Sequence, residues 1–133
     1  MDLKGQLINL KAIPIYYENN SYQITQKELN FIKKIKYYEA RERGLFISNS
    51  VSLLENKEVK GLKKFIIGKT ESYVKKILEI KNKIYLTQSW STLNKLNGYH
   101  SVHYHPNTFI SLVYYAQAEA GGLYFDVRRS SLQ

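Results

Sequence analysis

The spacing of the apolar residues changes once along this chain, near Lys83, and that change limits the folds open to it. Before Lys83 the spacing is helical. Leu29, Ile32, Ile35 and Tyr38 lie near one face, while Lys33, Lys34 and Lys36 point elsewhere. Val59, Leu62, Ile66, Tyr73 and Ile77 mark a second stripe. After Lys83, Ile84, Leu86, Gln88, Trp90 and Thr92 alternate with Tyr85, Thr87, Ser89, Ser91 and Leu93. An alternation of period two is the mark of a strand. The expected class is α+β, with residues 1–83 mainly helical and residues 84–133 supplying strands.

Local chemistry refines these elements. Leu7 to Tyr17 reads as a short extended segment, and Pro14 places it at an edge or in a loop. Asn19 to Ser21 is a turn. Thr25 and Glu28 have capping-box spacing, so a helix starts at Thr25, and Gly44 is its expected stop. "LFISNSVSLLEN" holds a short strand and a turn. A second helix is expected from Lys57 to Ile80 with Asn56 as its cap, weakened at Gly61 and Gly68 by about 1 kcal/mol each. Further strands are expected over Tyr99–His105, stopped by Pro106-Asn107, over Thr108–Gln117, and from "LYFDV" after the turn "AEAGG".

A length of 133 residues suits one domain. Cysteine is absent, which excludes disulfides and thiolate metal sites. The N-terminus lacks a signal-peptide pattern, and no apolar run approaches the ~18 residues of a membrane span. The cytoplasm is the expected location. The net charge of +9 is compatible with an acidic partner, nucleic acid included. It equally fits lysines spread over solvated helical faces. No nucleic-acid motif supports that partner beyond charge, so nucleic acid is not expected.

All three histidines, His100, His103 and His105, lie within six positions. On a strand, His103 and His105 share a face and His100 points to the other. Neutral imidazole suits Fe, Zn, Cu and Ni. A pair is not a site until a carboxylate or a third histidine joins it, and the only acids beyond His105 are Glu119 and Asp126. The competing reading is a pair of ordinary surface residues on a half-exposed strand. A cupin-type motif shares Gly98 and His103-Tyr104-His105, but Phe109 and Ile110 stand where its Glu would be.

The stretch from Tyr85 to Arg129 resembles a family of 2-oxoglutarate- and Fe(II)-dependent oxygenases found in phage and marine bacteria. The matching residues are Thr87-Gln88-Ser89-Trp90, Gly98, His103-Tyr104-His105-Pro106-Asn107-Thr108, Ser111-Leu112-Val113-Tyr114-Tyr115 and Asp126-Val127-Arg128. Leu112 replaces the family's Gly, and Val127 replaces the Pro of its "D-P-R". The resemblance implies N-terminal helices packed on an incomplete double-stranded β-helix (jelly-roll) sheet. It implies Fe(II) on His103 and His105, with 2-oxoglutarate as a small-molecule co-substrate near Asn107, Tyr115 and Arg128, and hydroxylation of an unspecified prime substrate. Trp90 is a further pocket candidate.

The family's later strands, with its distal histidine and its co-substrate arginine, have no counterpart here. On the resemblance the chain is therefore expected to be C-terminally truncated. It is also expected to be open to homo-oligomer formation through exposed sheet edges, and to lie in the host cytoplasm if phage-encoded. The alternative is a non-catalytic, phage-associated binding or structural module, or a cupin-like metal-binding protein.

Overall fold

The computed structural model describes residues 2–10, 13–19, 22–119 and 121–126. Strand β1 (Gln6–Leu10) pairs antiparallel with β2 (Ile13–Tyr17). Helix α1 (Gln26–Lys34) follows, then β3 (Tyr37–Glu39) and β4 (Leu45–Ser48). Two single 3₁₀ turns, Leu53–Glu55 and Lys57–Val59, lead into α2 (Lys60–Lys76). Strand β5 (Thr92–Asn94) completes a second antiparallel sheet of order β3-β4-β5. The protein is thus a small α+β domain with two short open sheets.

Neither sheet closes, and this overturns the expected double-stranded β-helix and with it the resemblance to the oxygenase family. The hydrogen-bond ladder ends at β5. Residues 99–119 and 121–126 carry turns and bends but no strand. Alternation shows which face a strand would bury, but a strand forms only where a neighbour accepts its backbone bonds. The expected strands over Tyr99–His105 and Thr108–Gln117 have no such neighbour among the described residues. Leu123 to Asp126 likewise forms no strand, and Val127 lies outside the described residues, as does most of the Asn19–Ser21 turn. In the 84–93 alternation only Thr92 and Leu93 enter a strand, while Ser89 forms an isolated parallel bridge to Ser52.

The helices follow the sequence more closely. Thr25 caps α1: its hydroxyl accepts the Glu28 N–H, and the Glu28 carboxylate accepts the Thr25 N–H. The helix stops at Lys34 rather than near Gly44. Ile35 turns extended there, and the Tyr37 hydroxyl donates to the freed Ile32 carbonyl at 2.9 Å. Gly44 instead adopts φ +77° in the β3–β4 turn, a left-handed conformation that glycine takes without strain. Helix α2 begins at Lys60, after a 3₁₀ turn. Asn56 does not cap it, and its side-chain amide donates back to the Leu53 carbonyl.

The core is Ile32, Leu54, Val59 and Leu62, with Tyr22, Ile24, Phe31, Ile66 and Tyr114 packed around it. The β1–β2 hairpin is fastened to α2 by Lys69. Its ammonium, almost buried, donates to the Asp2 carbonyl at 2.9 Å and pairs with Glu18 at 2.8 Å. The Tyr73 hydroxyl donates to the Pro14 carbonyl at 2.8 Å. No described helix is long and apolar enough to cross a membrane.

Candidate functional site

Residues 84–126 attach to this frame along one line. The Ser89 N–H donates to Val51 O at 2.8 Å, and the Ser89 carbonyl accepts the Leu53 N–H. Ser91 exchanges bonds with Ser48, the Ser48 N–H donating to Ser91 O and the Ser91 N–H to Ser48 Oγ. The Lys95 N–H reaches Gly44 O at 2.9 Å. Gly98 closes the line. A Cβ there would stand 2.6 Å from Gly44 O and 2.9 Å from Lys95 O, so only glycine fits.

Further along, Tyr114 returns to the core. It meets Tyr22 edge-on with ring centroids 6.1 Å apart, and its hydroxyl donates to Tyr22 O at 3.1 Å. Burial, reinforced by the Glu28 carboxylate, raises the Tyr114 hydroxyl pKa above its usual range. The resemblance implies Tyr115 as the co-substrate contact on this segment. The structure turns the opposite face inward, and Tyr115 stays 56% exposed. The missed signal was the half-buried set Ile110, Tyr114 and Ala116, which shares parity with Leu112.

The three histidines come together instead of splitting by parity. His100 stacks on His103 with centroids 4.0 Å apart, and His103 meets His105 edge to face at 4.9 Å. The Trp90 ring lies 5.2 Å from His105. Strand parity does not govern them because this segment is not a strand. His103 Nδ1 lies 2.8 Å from the Ser101 carbonyl, and the Ser101 hydroxyl donates to the Glu42 carboxylate. Burial and the neighbouring His103 hold the His100 imidazole pKa below its usual value, against the opposing charge of Glu42.

Among the described residues, no group of three His, Cys, Asp or Glu is arranged to hold a metal ion. This corrects the expectation of Fe(II) and of a cupin-like centre, because the pair His103 and His105 gains no third donor. Without the metal, 2-oxoglutarate has nothing to chelate, so the expected co-substrate and oxygenase activity fall as well. Asn107 sits exposed at φ +57° in the turn after Pro106, a conformation asparagine tolerates. Arg128 lies outside the described residues.

The segment instead leaves many aromatic and aliphatic side chains uncovered. Leu96 is 93% exposed, Tyr104 85% and Tyr124 90%, and Tyr99, Val102, Phe109, Leu112, Val113, Leu123 and Phe125 are also exposed. Lys95, Glu119 and Asp126 are the only formally charged side chains in 84–126. The basic charge of the protein therefore lies mainly in residues 1–83. No family model, curated protein or solved structure matches this chain.

Proposed function

We propose that the protein is a non-catalytic binding module whose residues 84–126 dock onto another polypeptide. One observation carries this reading: among the described residues, fourteen of the twenty exposed large apolar or aromatic side chains lie in 84–126. Scattered apolar residues are normal on a surface, but so many uncovered within one segment mark an interaction site.

The composition of the face fits a protein partner. Tyr85, Tyr99, Tyr104, Tyr115 and Tyr124 are exposed there beside Leu, Val and Phe. Tyrosine supplies large contact area with a polar tip and loses little rotamer freedom, and charged groups are scarce where interfaces desolvate most. The line from Ser89 to Gly98 and the Tyr114 anchor hold the segment on the α/β frame.

Photo-crosslinking with a photoreactive residue at Tyr104, and a control at Lys33 on α1, tests this reading. Position 104 should give one discrete polypeptide adduct that position 33 does not. The adduct should disappear when excess wild-type protein competes, but persist against a Leu96→Ser, Tyr124→Ser variant. Equal crosslinking at both positions, or none at 104, would sink the proposal.

A further inference from the structure

A second surface, using none of residues 84–126, runs along α2 and the 3₁₀ turns before it. It is a groove of about 830 Å³ lined by Leu54, Glu55, Lys57, Lys60, Lys63, Lys64, Ile67, Gly68 and Glu71. Its floor is apolar, made by buried Leu54, half-buried Ile67 and Gly68. Its rim is cationic. Lys63 is bonded to Glu55 at 2.6 Å, whereas Lys57, Lys60 and Lys64 are exposed and make no ion pair among the described residues.

Lys60, Lys64, Ile67 and Glu71 follow at spacings of four, three and four along the helix, so they form one stripe. Three ammonium groups beside an apolar floor complement a ligand that carries carboxylates along one edge and apolar side chains along the other.

We infer that this groove binds an acidic amphipathic peptide segment of a partner protein. Its carboxylates would meet Lys57, Lys60 and Lys64, and its apolar side chains would lie over Leu54, Ile67 and Gly68. Nucleic acid fits less well. Glu55 and Glu71 stand in the lining, where a continuous phosphate backbone meets repulsion, while a peptide can space its charges around them. The groove also presents no aromatic ring for a base to stack on, the usual device of single-strand binders.

The test uses the full chain and fluorescence anisotropy with three labelled probes: a peptide of Glu and Leu at helical spacing, an all-Glu peptide, and a DNA duplex. The Glu/Leu peptide should bind most tightly, and its affinity should fall with added salt. A Lys57→Gln, Lys60→Gln, Lys64→Gln variant should weaken it about tenfold, the size expected for losing three exposed ion pairs. Ile67→Ser should weaken it while leaving the all-Glu peptide unchanged. Unfolding curves should overlay for wild type and the lysine variant, whose exposed side chains make no hydrogen bond or ion pair among the described residues, and a Lys33→Gln, Lys34→Gln variant on α1 should bind normally. Unchanged binding by the triple variant, equal affinity for the all-Glu peptide, or tighter binding of the duplex would overturn the proposal.

Discussion

The carboxylate of Glu28 accepts the backbone N–H of Leu62 at 2.9 Å, so a side chain of α1 caps the first turn of α2. Val59, the residue at the N-cap position of α2, offers no side-chain cap of its own. Glu28 closes the capping box of α1 with its other oxygen and also accepts the Tyr22 hydroxyl. One buried carboxylate thus satisfies orphan donors of both helices and fixes them at the core. Gly61 allows the approach, since a Cβ there would stand 2.5 Å from the Tyr22 hydroxyl and 3.0 Å from Glu28.

Replacing Glu28 by Ala leaves two backbone N–H groups and the part-buried hydroxyls of Thr25 and Tyr22 without their acceptor. A loss of roughly 2–4 kcal/mol is expected, with Glu28→Gln costing less because one amide oxygen still accepts. Urea unfolding of both variants checks the order. A smaller loss for Ala than for Gln would contradict the capping role.

The same carboxylate sets an acid sensitivity. Burial alone would raise its pKa, but the Thr25 N–H and hydroxyl, the Leu62 N–H and the Tyr22 hydroxyl outweigh it and hold the pKa below the ordinary 4.5. A carboxyl with a folded-state pKa below its unfolded value stabilises fully above the unfolded value. That contribution is lost as pH falls through the folded pKa. Wild type should therefore lose stability below about pH 4.5, and Glu28→Gln should show a shallower acid slope over the same range. Parallel slopes would assign the acid loss to other carboxyls, of which Glu18, paired with Lys69, is the first candidate.

Tyr114 and Tyr115 are adjacent and should behave oppositely. Tyr114→Ala removes a ring packed on the core and a hydrogen bond to Tyr22 O, and is expected to cost roughly 2–3 kcal/mol. Tyr115→Ala should stay within about 0.5 kcal/mol. Thermal melts of the two variants separate them, and equal losses would mean that the segment is seated in another way.

Residues 1–83, expected to be mainly helical, hold β1–β4 as well as α1 and α2; what was legible there was the start of α1, because its rules are local. Thr25 and Glu28 are three residues apart, and the capping box forms as that spacing requires. The hold of Glu28 on Leu62 was not legible, because nothing in a sequence marks two residues 34 apart as neighbours. The second half was misread for a related reason. Alternation in 84–117 records the propensity of each residue to face one side or the other, but whether a partner strand exists is a long-range fact. The histidine grouping was lost with it, since parity holds only on a strand.

The role of Gly98 is steric. Gly98→Ala would force a methyl group to within 2.6 Å of Gly44 O, against backbone that cannot give way cheaply. The expected loss is about 1–3 kcal/mol, with the damage confined to the Gly44–Lys95 contact and the β4–β5 pairing. Amide chemical shifts in that hairpin should move, while those of α1 stay in place. A neutral substitution would contradict the close approach.

With no third donor beside His103 and His105 among the described residues, iron should not be retained. Protein loaded with Fe(II) and 2-oxoglutarate, then desalted, should hold far less than one iron per chain. His103→Ala with His105→Ala should not change that content. Stoichiometric iron together with release of succinate would restore the oxygenase reading.

Hydrogen–deuterium exchange of the free protein tests the central claim most directly, because an open face and a closed barrel differ in which backbone amides are bonded. Slow exchange is predicted in α2 and at Ser48, Ser89 and Lys95, whose amides are bonded. Fast exchange is predicted through 99–105, 108–117 and 121–126. Alternating or continuous protection across those three stretches, as paired strands would give, would contradict the claim.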